Sequence, residues 1–252
     1  MEKHGGQPLN SGYPEPMDKM RKVAGLWHSR RYVGGYCAKI VFYLCLLCSI
    51  MSVRIKPNPL KGWYIMKMLI ASDLHGSEHY ALILRDLVEK ENPDRVLLLG
   101  DLLYHGPRNE IPLGYAPKKV IEILNSMKDK ILAVRGNCDA EVDQMVLQFP
   151  MLANYALLYI DGLPIYVTHG PHEGPHNPPP LFAGEVLLYG HTHVGAEQQQ
   201  NGYVYLNPGS ITLPKDGHHS YMIYENGLFR RFDLDGTLLG QWPGDDGVKT
   251  AP

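Results

Sequence analysis

Residues 68–76, "MLIASDLHG", decide how this chain is read: an apolar run of strand length stops abruptly at Asp73 and His75. The same form returns downstream. "RVLLLG" (95–100) runs into Asp101, "KILAVRG" (130–136) into Asn137, "IYVT" (165–168) into His169, and "EVLLYG" (185–190) into His191 and His193. Between the first three runs lie two helical patterns. "SEHYALILRDLVEKE" (77–91) has Ser77 placed as N-cap and is closed by Pro93. "YAPKKVIEILNSM" (115–127) has Pro117 in a first turn and Val120, Ile121, Ile123, Leu124 and Met127 at helical spacing. Strand, helix, strand, helix, strand predicts a parallel sheet with helices packed on it.

The second half is richer in antiparallel signals. "NYALLYIDGLPIYVT" (154–168) reads as two strands about an Asp161-Gly162 turn. "YVYLN" (203–207) adds another, and "SYMIYENGLFRRFDL" (220–234) reads as a hairpin turning at Asn226-Gly227. The expected fold class is α/β, a mixed sandwich without internal repeats.

Composition agrees with a globular protein: 252 residues, 44% hydrophobic and 20% charged, enough for one sizeable domain with an appendage. The net charge of −2 hides an asymmetry. Residues 1–65 carry ten Lys and Arg against three Asp and Glu, and the remainder fourteen against twenty-three. An acidic globular part argues against a nucleic-acid groove and suits carboxylates gathered around metal ions. Cys37, Cys45 and Cys48 precede residue 65, leaving Cys138 alone afterwards. One cysteine builds no disulfide framework, so a reducing cytoplasm is the expected compartment.

The first 65 residues differ from the rest. The apolar stretch "IVFYLCLLCSIM" (40–51) is flanked by basic residues, but twelve residues fall short of the ~20 a spanning helix needs. It starts late for a signal peptide, and no A-x-A-like cleavage site follows. Membrane association is not expected. Residues 1–65 read as a disordered extension or as sequence foreign to the native protein, with Met66 a natural start just before the first strand. The expected organisation is then this extension, a domain over 66–229, and a strand end with a polar tail over 230–252.

The strand ends carry the chemistry. Ligands in open α/β sheets bind outside the carboxyl ends of the strands, so Asp73, His75, Asp101, Asn137, His169, His191 and His193 converge on one rim. A lone His at a strand end is ordinarily a hydrogen-bonded surface residue; five strand ends bearing such side chains are not ordinary. Four His, two Asp and one Asn suit borderline divalent ions such as Mn²⁺, Fe²⁺, Zn²⁺ or Ni²⁺, whereas Mg²⁺ and Ca²⁺ favour oxygen alone. Seven ligands exceed what one catalytic zinc uses. Two ions sharing one carboxylate account for all seven. A pair ~3.5–4 Å apart is the arrangement that activates a bridging hydroxide for in-line phosphoryl displacement.

The strings "DLHG", "GDLLYHG", "GNCD", "THG" and "GHTH" resemble the blocks of the calcineurin-like metallophosphoesterases, D-x-H, G-D, G-N-H-D/E, H and G-H-x-H. Over 66–229 the chain is most similar to the small bacterial YfcE-type phosphodiesterases, with "RGNCDAEVDQ" and "NPGSITLPK" as further shared strings. The resemblance implies a four-layer αββα sandwich and hydrolysis of a small-molecule phosphodiester by a hydroxide bridging two divalent ions, with Mn²⁺ the expected metal. It implies one metal on Asp73, His75 and His193, the other on Asn137, His169 and His191, and Asp101 between them. Alternatives are a phosphomonoesterase or protein phosphatase of the same fold, and a catalytically silent binding scaffold.

Cys138 stands where the family usually has a His that assists alkoxide departure. A thiol is a feebler acid than an imidazolium, which would disfavour alkyl monoesters and favour substrates with better leaving groups. The plain alternative is a small, half-buried side chain beside the site. His105 and Arg108, in "YHGPRN", follow Asp101 and could reach a substrate phosphate, or belong to a solvated loop. His172 and His176, in "GPHEGPHNPPP", could wall the pocket, though a Pro-rich segment reads first as rigid connection. His218 and His219 read as surface residues. No nucleic-acid partner is expected, and the sequence locates no surface for a homo-oligomer, which stays open.

Overall fold

The computed structural model describes residues 66–244, and the expectations for residues 1–65 and for the last part of the tail lie outside the described residues. Strand β1 (Lys67–Ala71) leads to helix α1 (Glu78–Glu91), β2 (Arg95–Leu98), α2 (Pro117–Ser126), β3 (Ile131–Ala133) and the single turn α3 (Glu141–Gln144). Then come β4 (Tyr155–Ile160), β5 (Leu163–Thr168), β6 (Val186–Leu188), β7 (Ala196–Gln200), β8 (Tyr203–Asn207), β9 (Ser220–Glu225), β10 (Leu228–Asp233) and β11 (Leu238–Trp242). They form two mixed sheets, of order β11-β10-β9-β1-β2-β3 and β4-β5-β6-β8-β7.

Period-two alternation explains how the layers stack. In β1, Leu69 and Ala71 face α1 and α2, while Met68 and Ile70 face the second sheet. Between the sheets, Met68, Ile70, Leu97 and Leu99 meet Ile165, Val167, Val186, Leu188, Val204 and Leu206, all buried. Burial on both faces is why "RVLLLG" and "EVLLYG" read as unbroken apolar runs. Helices α1 and α2 cover the outer face of the first sheet through Ala81, Leu84, Val120 and Leu124. The outer face of the second sheet carries a smaller cluster of Leu187, Tyr189 and Tyr205, with Tyr166, Leu181 and Tyr203 against it.

Local signals act as expected. Ser77 Oγ accepts from Tyr80 N at 3.3 Å at the head of α1, and its hydroxyl donates to the Leu113 carbonyl at 2.6 Å. The hairpin turns place Asp161-Gly162 and Asn226-Gly227 at positive φ, as two-residue turns of this twist require.

Three elements escape the sequence reading. Strand β7, "AEQQQ", is an edge strand paired with β8, and its polar exposed residues hide the alternation. Helix α3 is a single turn. Strand β11 pairs with β10 and carries the first sheet to Trp242, past residue 229 where the domain was expected to end. Its Trp242 ring lies 6.2 Å from Phe229 and packs against the inter-sheet core, which holds "LLGQW" in place. Among the described residues no helix is long and apolar enough to cross a membrane.

Candidate metal centre

Strands β1, β2 and β3 run parallel in one sheet and β5, β6 and β8 in the other, so their carboxyl ends open on one rim. The loops leaving them turn sharply. Of nine non-glycine residues with positive φ among the described residues, five are Asp73 (59°), His75 (50°), Asp101 (56°), His191 (65°) and His193 (59°). Such backbone is uncommon outside glycine and persists only where surrounding bonds over-determine it. Here the loops are stitched together. The amides of Asp73, His75 and Gly76 donate to the carbonyls of Gly100, Asp101 and Leu102 at 3.2, 2.8 and 2.9 Å.

All seven expected residues lie at this rim, and ring-to-carboxylate distances tie most of them together. His193 Nε2 is 3.2 Å and His75 Nε2 is 3.7 Å from Asp73 Oδ1. Asp101 Oδ2 is 3.7 Å from His75 Nε2 and 3.4 Å from His169 Nε2. Asn137 Oδ1 lies 3.0 Å from His169 Nε2, and the His191 ring stands 5.2 Å from that of His169. Asp101 thus faces both ends of the cluster. Asp73, His75, Asp101, His169 and His193 are buried.

Which atoms face inward decides what the cluster can hold. Nδ1 of His75 lies 2.9 Å from the Tyr104 carbonyl, that of His193 2.6 Å from the Leu213 carbonyl, and that of His169 2.6 Å from the Leu99 carbonyl. A carbonyl only accepts, so each Nδ1 carries a proton and each Nε2 turns inward, presenting a lone pair whenever the ring is neutral. The Nε2 atoms of His75 and His193 then face each other at 3.2 Å. That of His169 faces the oxygens of Asn137 and Asp101. Asp73 Oδ1 is buried without a hydrogen-bond partner among the described residues. Acceptors crowded against acceptors in a dry place call for a cation or for extra protons. Asp73, His75 and His193 could hold one divalent ion, and Asp73, Asp101 and His169 also converge; the donor set fits the metals expected from the sequence.

The electrostatics follow from this crowding. Burial works to raise the Asp73 pKa, but the His193 and His75 rings, 3.2 and 3.7 Å from Oδ1, outweigh it and hold the carboxyl well below its usual range. For Asp101 burial is likewise opposed by His169, and the pKa falls. Burial would lower His169, yet Asp101 and Asp73 carry it up to about 9. Burial and the neighbouring His169 lower His191, favouring the neutral, metal-ready imidazole.

Cys138 has a definite place. Its amide donates to Asp101 Oδ1 at 2.7 Å, and its sulfur accepts the Asn137 amide at 3.2 Å, which turns Asn137 Oδ1 towards His169. Burial and the Asp101 charge push its thiol up to about 12. His105 and Arg108 make no side-chain hydrogen bond with the seven. The His105 ring packs 4.7 Å from Tyr104 and 5.1 Å from Tyr115 with Nδ1 buried and unpartnered, and Arg108 is exposed. His172 lines a cavity of about 490 Å³ beside Asn137 and His169, whereas His176 does not. His218 is exposed and paired with Asp233, and His219 stacks on Tyr80 rather than standing free.

A supporting layer went unread in the sequence. Asp139, 3% exposed, accepts the amides of Asp101 (2.9 Å), Leu102 (2.8 Å) and Gly136 (2.7 Å), clamping the loop after β2 to the loop after β3. Asn207 donates to the Gly190 carbonyl and Thr192, Ser210 to the Asp73 carbonyl, and Thr212 to the Leu74 carbonyl. Gly136 is required by proximity: a Cβ there would fall on the Asp101 carboxylate and amide. Asp139 closes the "GNCD" block, and Asn207, Ser210 and Thr212 lie in "NPGSITLPK", but neither string says what these side chains bond.

Residues 66–226 match the family of the calcineurin-like phosphoesterase superfamily domain. This chain belongs to that superfamily. It is 44% identical over 179 residues to the phosphodiesterase YfcE of Escherichia coli K12, covering 70% of this chain and 97% of that protein. A solved structure of YfcE, described as a phosphoesterase from E. coli, superposes with a TM-score of 0.68 at 42% identity, covering 70% of this chain and 98% of that one. The structure of an archaeal phosphodiesterase shares the fold, with a TM-score of 0.50 at 21% identity over 67% of this chain and 99% of that one. The phosphoesterase described here is therefore built on a fold shared between bacterial and archaeal proteins.

Proposed function

We propose that this phosphoesterase hydrolyses a small-molecule phosphodiester at a centre of two divalent ions. Asp73, His75 and His193 would hold one, Asn137, His169 and His191 the other, and Asp101 would reach both. The observation that carries the reading is the set of inward-turned Nε2 atoms of His75, His169 and His193 beside the unpartnered Asp73 Oδ1. Similarity to a phosphodiesterase supports the diester class. Mn²⁺ is the proposed metal and a reducing cytoplasm the proposed compartment. The acidic balance beyond residue 65 argues for small molecules over nucleic acid.

Bound there, the ions supply Lewis acidity to the phosphoryl oxygens and make water acidic enough to furnish hydroxide near neutral pH. The protein's own groups do the rest. Backbone carbonyls fix the tautomers of His75, His169 and His193, and Cys138 orients the Asn137 amide. His105 and Arg108, on the loop after Asp101, are proposed to approach the outer phosphate oxygens. No side chain of this set serves as nucleophile. A thiol pushed up to about 12 donates a proton poorly, so Cys138 gives little help to a poor leaving group. Diesters whose alcohol departs readily are the substrates that fit.

The test strips the full chain of metal, resupplies Mn²⁺, and compares bis-p-nitrophenyl phosphate with p-nitrophenyl phosphate. Restored activity preferring the diester is expected. Preference for the monoester would sink the leaving-group argument. Folded protein inactive with every divalent ion would bring the scaffold reading forward.

A further inference from the structure

Beside Asn137 and His169 the cavity of about 490 Å³ opens, a volume that takes a nucleotide-sized group. Tyr155 lines it. Tyr155, 51% exposed, stacks on Tyr166 with ring centroids 5.1 Å apart and planes 13° from parallel. The Tyr166 hydroxyl donates to Glu173, which also lines the cavity, so the platform is fixed from beneath. The loop bearing Glu173 is itself pinned by reciprocal hydrogen bonds between Gly174 and Asn177 at 3.1 Å. Around the platform stand Asn154, His172 and Arg135. The side chains of Asn154 and His172 and the Tyr155 hydroxyl make no hydrogen bond among the described residues. Arg135 is held by Glu141 at 3.0 Å and by the Asp139 carbonyl at 3.2 Å.

A rigid aromatic face bordered by uncommitted donors and acceptors suits a flat group with a polar edge. An alkyl group would use neither feature, whereas a nucleobase stacks on Tyr155 and can hydrogen-bond to the side chains at its edge. Cys138, the residue beside the departing oxygen in the reading above, does not line this cavity. Resting on that reading, we propose that the cavity is the subsite for the ester group that stays on phosphorus, and that this group is a nucleoside stacked on Tyr155.

Three diesters sharing one leaving group test this on the Mn²⁺-loaded full chain: the p-nitrophenyl ester of thymidine 5′-monophosphate, phenyl p-nitrophenyl phosphate and methyl p-nitrophenyl phosphate. The nucleoside ester is expected to exceed the methyl ester about tenfold or more in kcat/KM, with the phenyl ester between. Tyr155→Ala should cut the nucleoside-to-methyl ratio about tenfold through KM, and Tyr155→Phe should keep it within about twofold. A ratio near one in the parent, a ratio that survives Tyr155→Ala, or a phenyl ester equal to the nucleoside ester would overturn the assignment. If none of the three is hydrolysed, the diesterase reading fails, and calorimetric titration with thymidine 5′-monophosphate still decides the subsite. About tenfold weaker Kd in Tyr155→Ala supports it, and equal Kd overturns it.

Discussion

Replacing Asp139 should damage the centre without touching any proposed ligand. Its two carboxylate oxygens accept three backbone amides in a buried place, Oδ2 from Asp101 and Gly136 and Oδ1 from Leu102. In Asp139→Asn the amide oxygen can serve the Oδ2 pair, but the new NH₂ then points at the Leu102 N–H. One buried donor is orphaned and meets another donor, a cost of about 1–3 kcal/mol. Asp139→Ala orphans all three donors and leaves a void, so about 3 kcal/mol or more is expected. The same clamp holds Asp101 at φ 56° with its carboxylate aimed between His75 and His169. Loosening it should lower metal affinity or kcat about 10- to 100-fold, as for other groups that orient ligands from behind. Urea unfolding of the metal-free protein gives the first number, and Mn²⁺ titration with diester kinetics gives the second. An Asp139→Asn protein within ~0.5 kcal/mol of the parent, binding Mn²⁺ equally well, would refute the idea that three shared amides position the Asp101 carboxylate.

Other perturbations address the remaining parts. Gly136→Ala should leave a folded but nearly inactive protein, because its methyl must displace Asp101; full diesterase activity would contradict the close approach. In the metal-free protein His169 is raised from 6.5 to about 9, so its stabilising contribution is complete below pH 6.5 and is lost as pH rises through 9. Metal must displace that proton, so Mn²⁺ affinity should climb with pH across this window and binding should release protons; calorimetry showing neither would count against the assignment. Cys138→His should raise monoesterase activity relative to diesterase activity by supplying a better acid, and an unchanged ratio would reduce Cys138 to its role in orienting Asn137. With its thiol pushed up to about 12, Cys138 should react with iodoacetamide at pH 8 far more slowly than an exposed thiol; rapid alkylation would contradict that burial.

Which parts of this protein were legible in its sequence follows from how each part is held. The clustering of the seven candidate ligands was legible because each stands where an apolar run breaks, and in parallel sheets those breaks fall on one rim. The strands buried on both faces were legible for the same reason. Strand β7 was not, because an edge strand stabilised by pairing with β8 needs no alternating apolar face. Strand β11 was missed because a cluster of glycines and a proline surrounds the few residues that pack it.

The supporting layer failed to show for a deeper reason. Asp139, Asn207 and Ser210 act by accepting from or donating to backbone groups of loops 17 to 137 residues away or only three residues distant. Backbone amides and carbonyls are the same at every position, so the sequence carries no mark of which ones will need a partner. Only the strained geometry creates the demand: a sharp turn at each strand end exposes amides that a buried interior cannot leave unpaired. The five left-handed candidate ligands and the polar residues behind them are therefore one solution to one problem. A loop tight enough to point a side chain back across the rim has to be closed by a second side chain that lies outside the proposed metal centre.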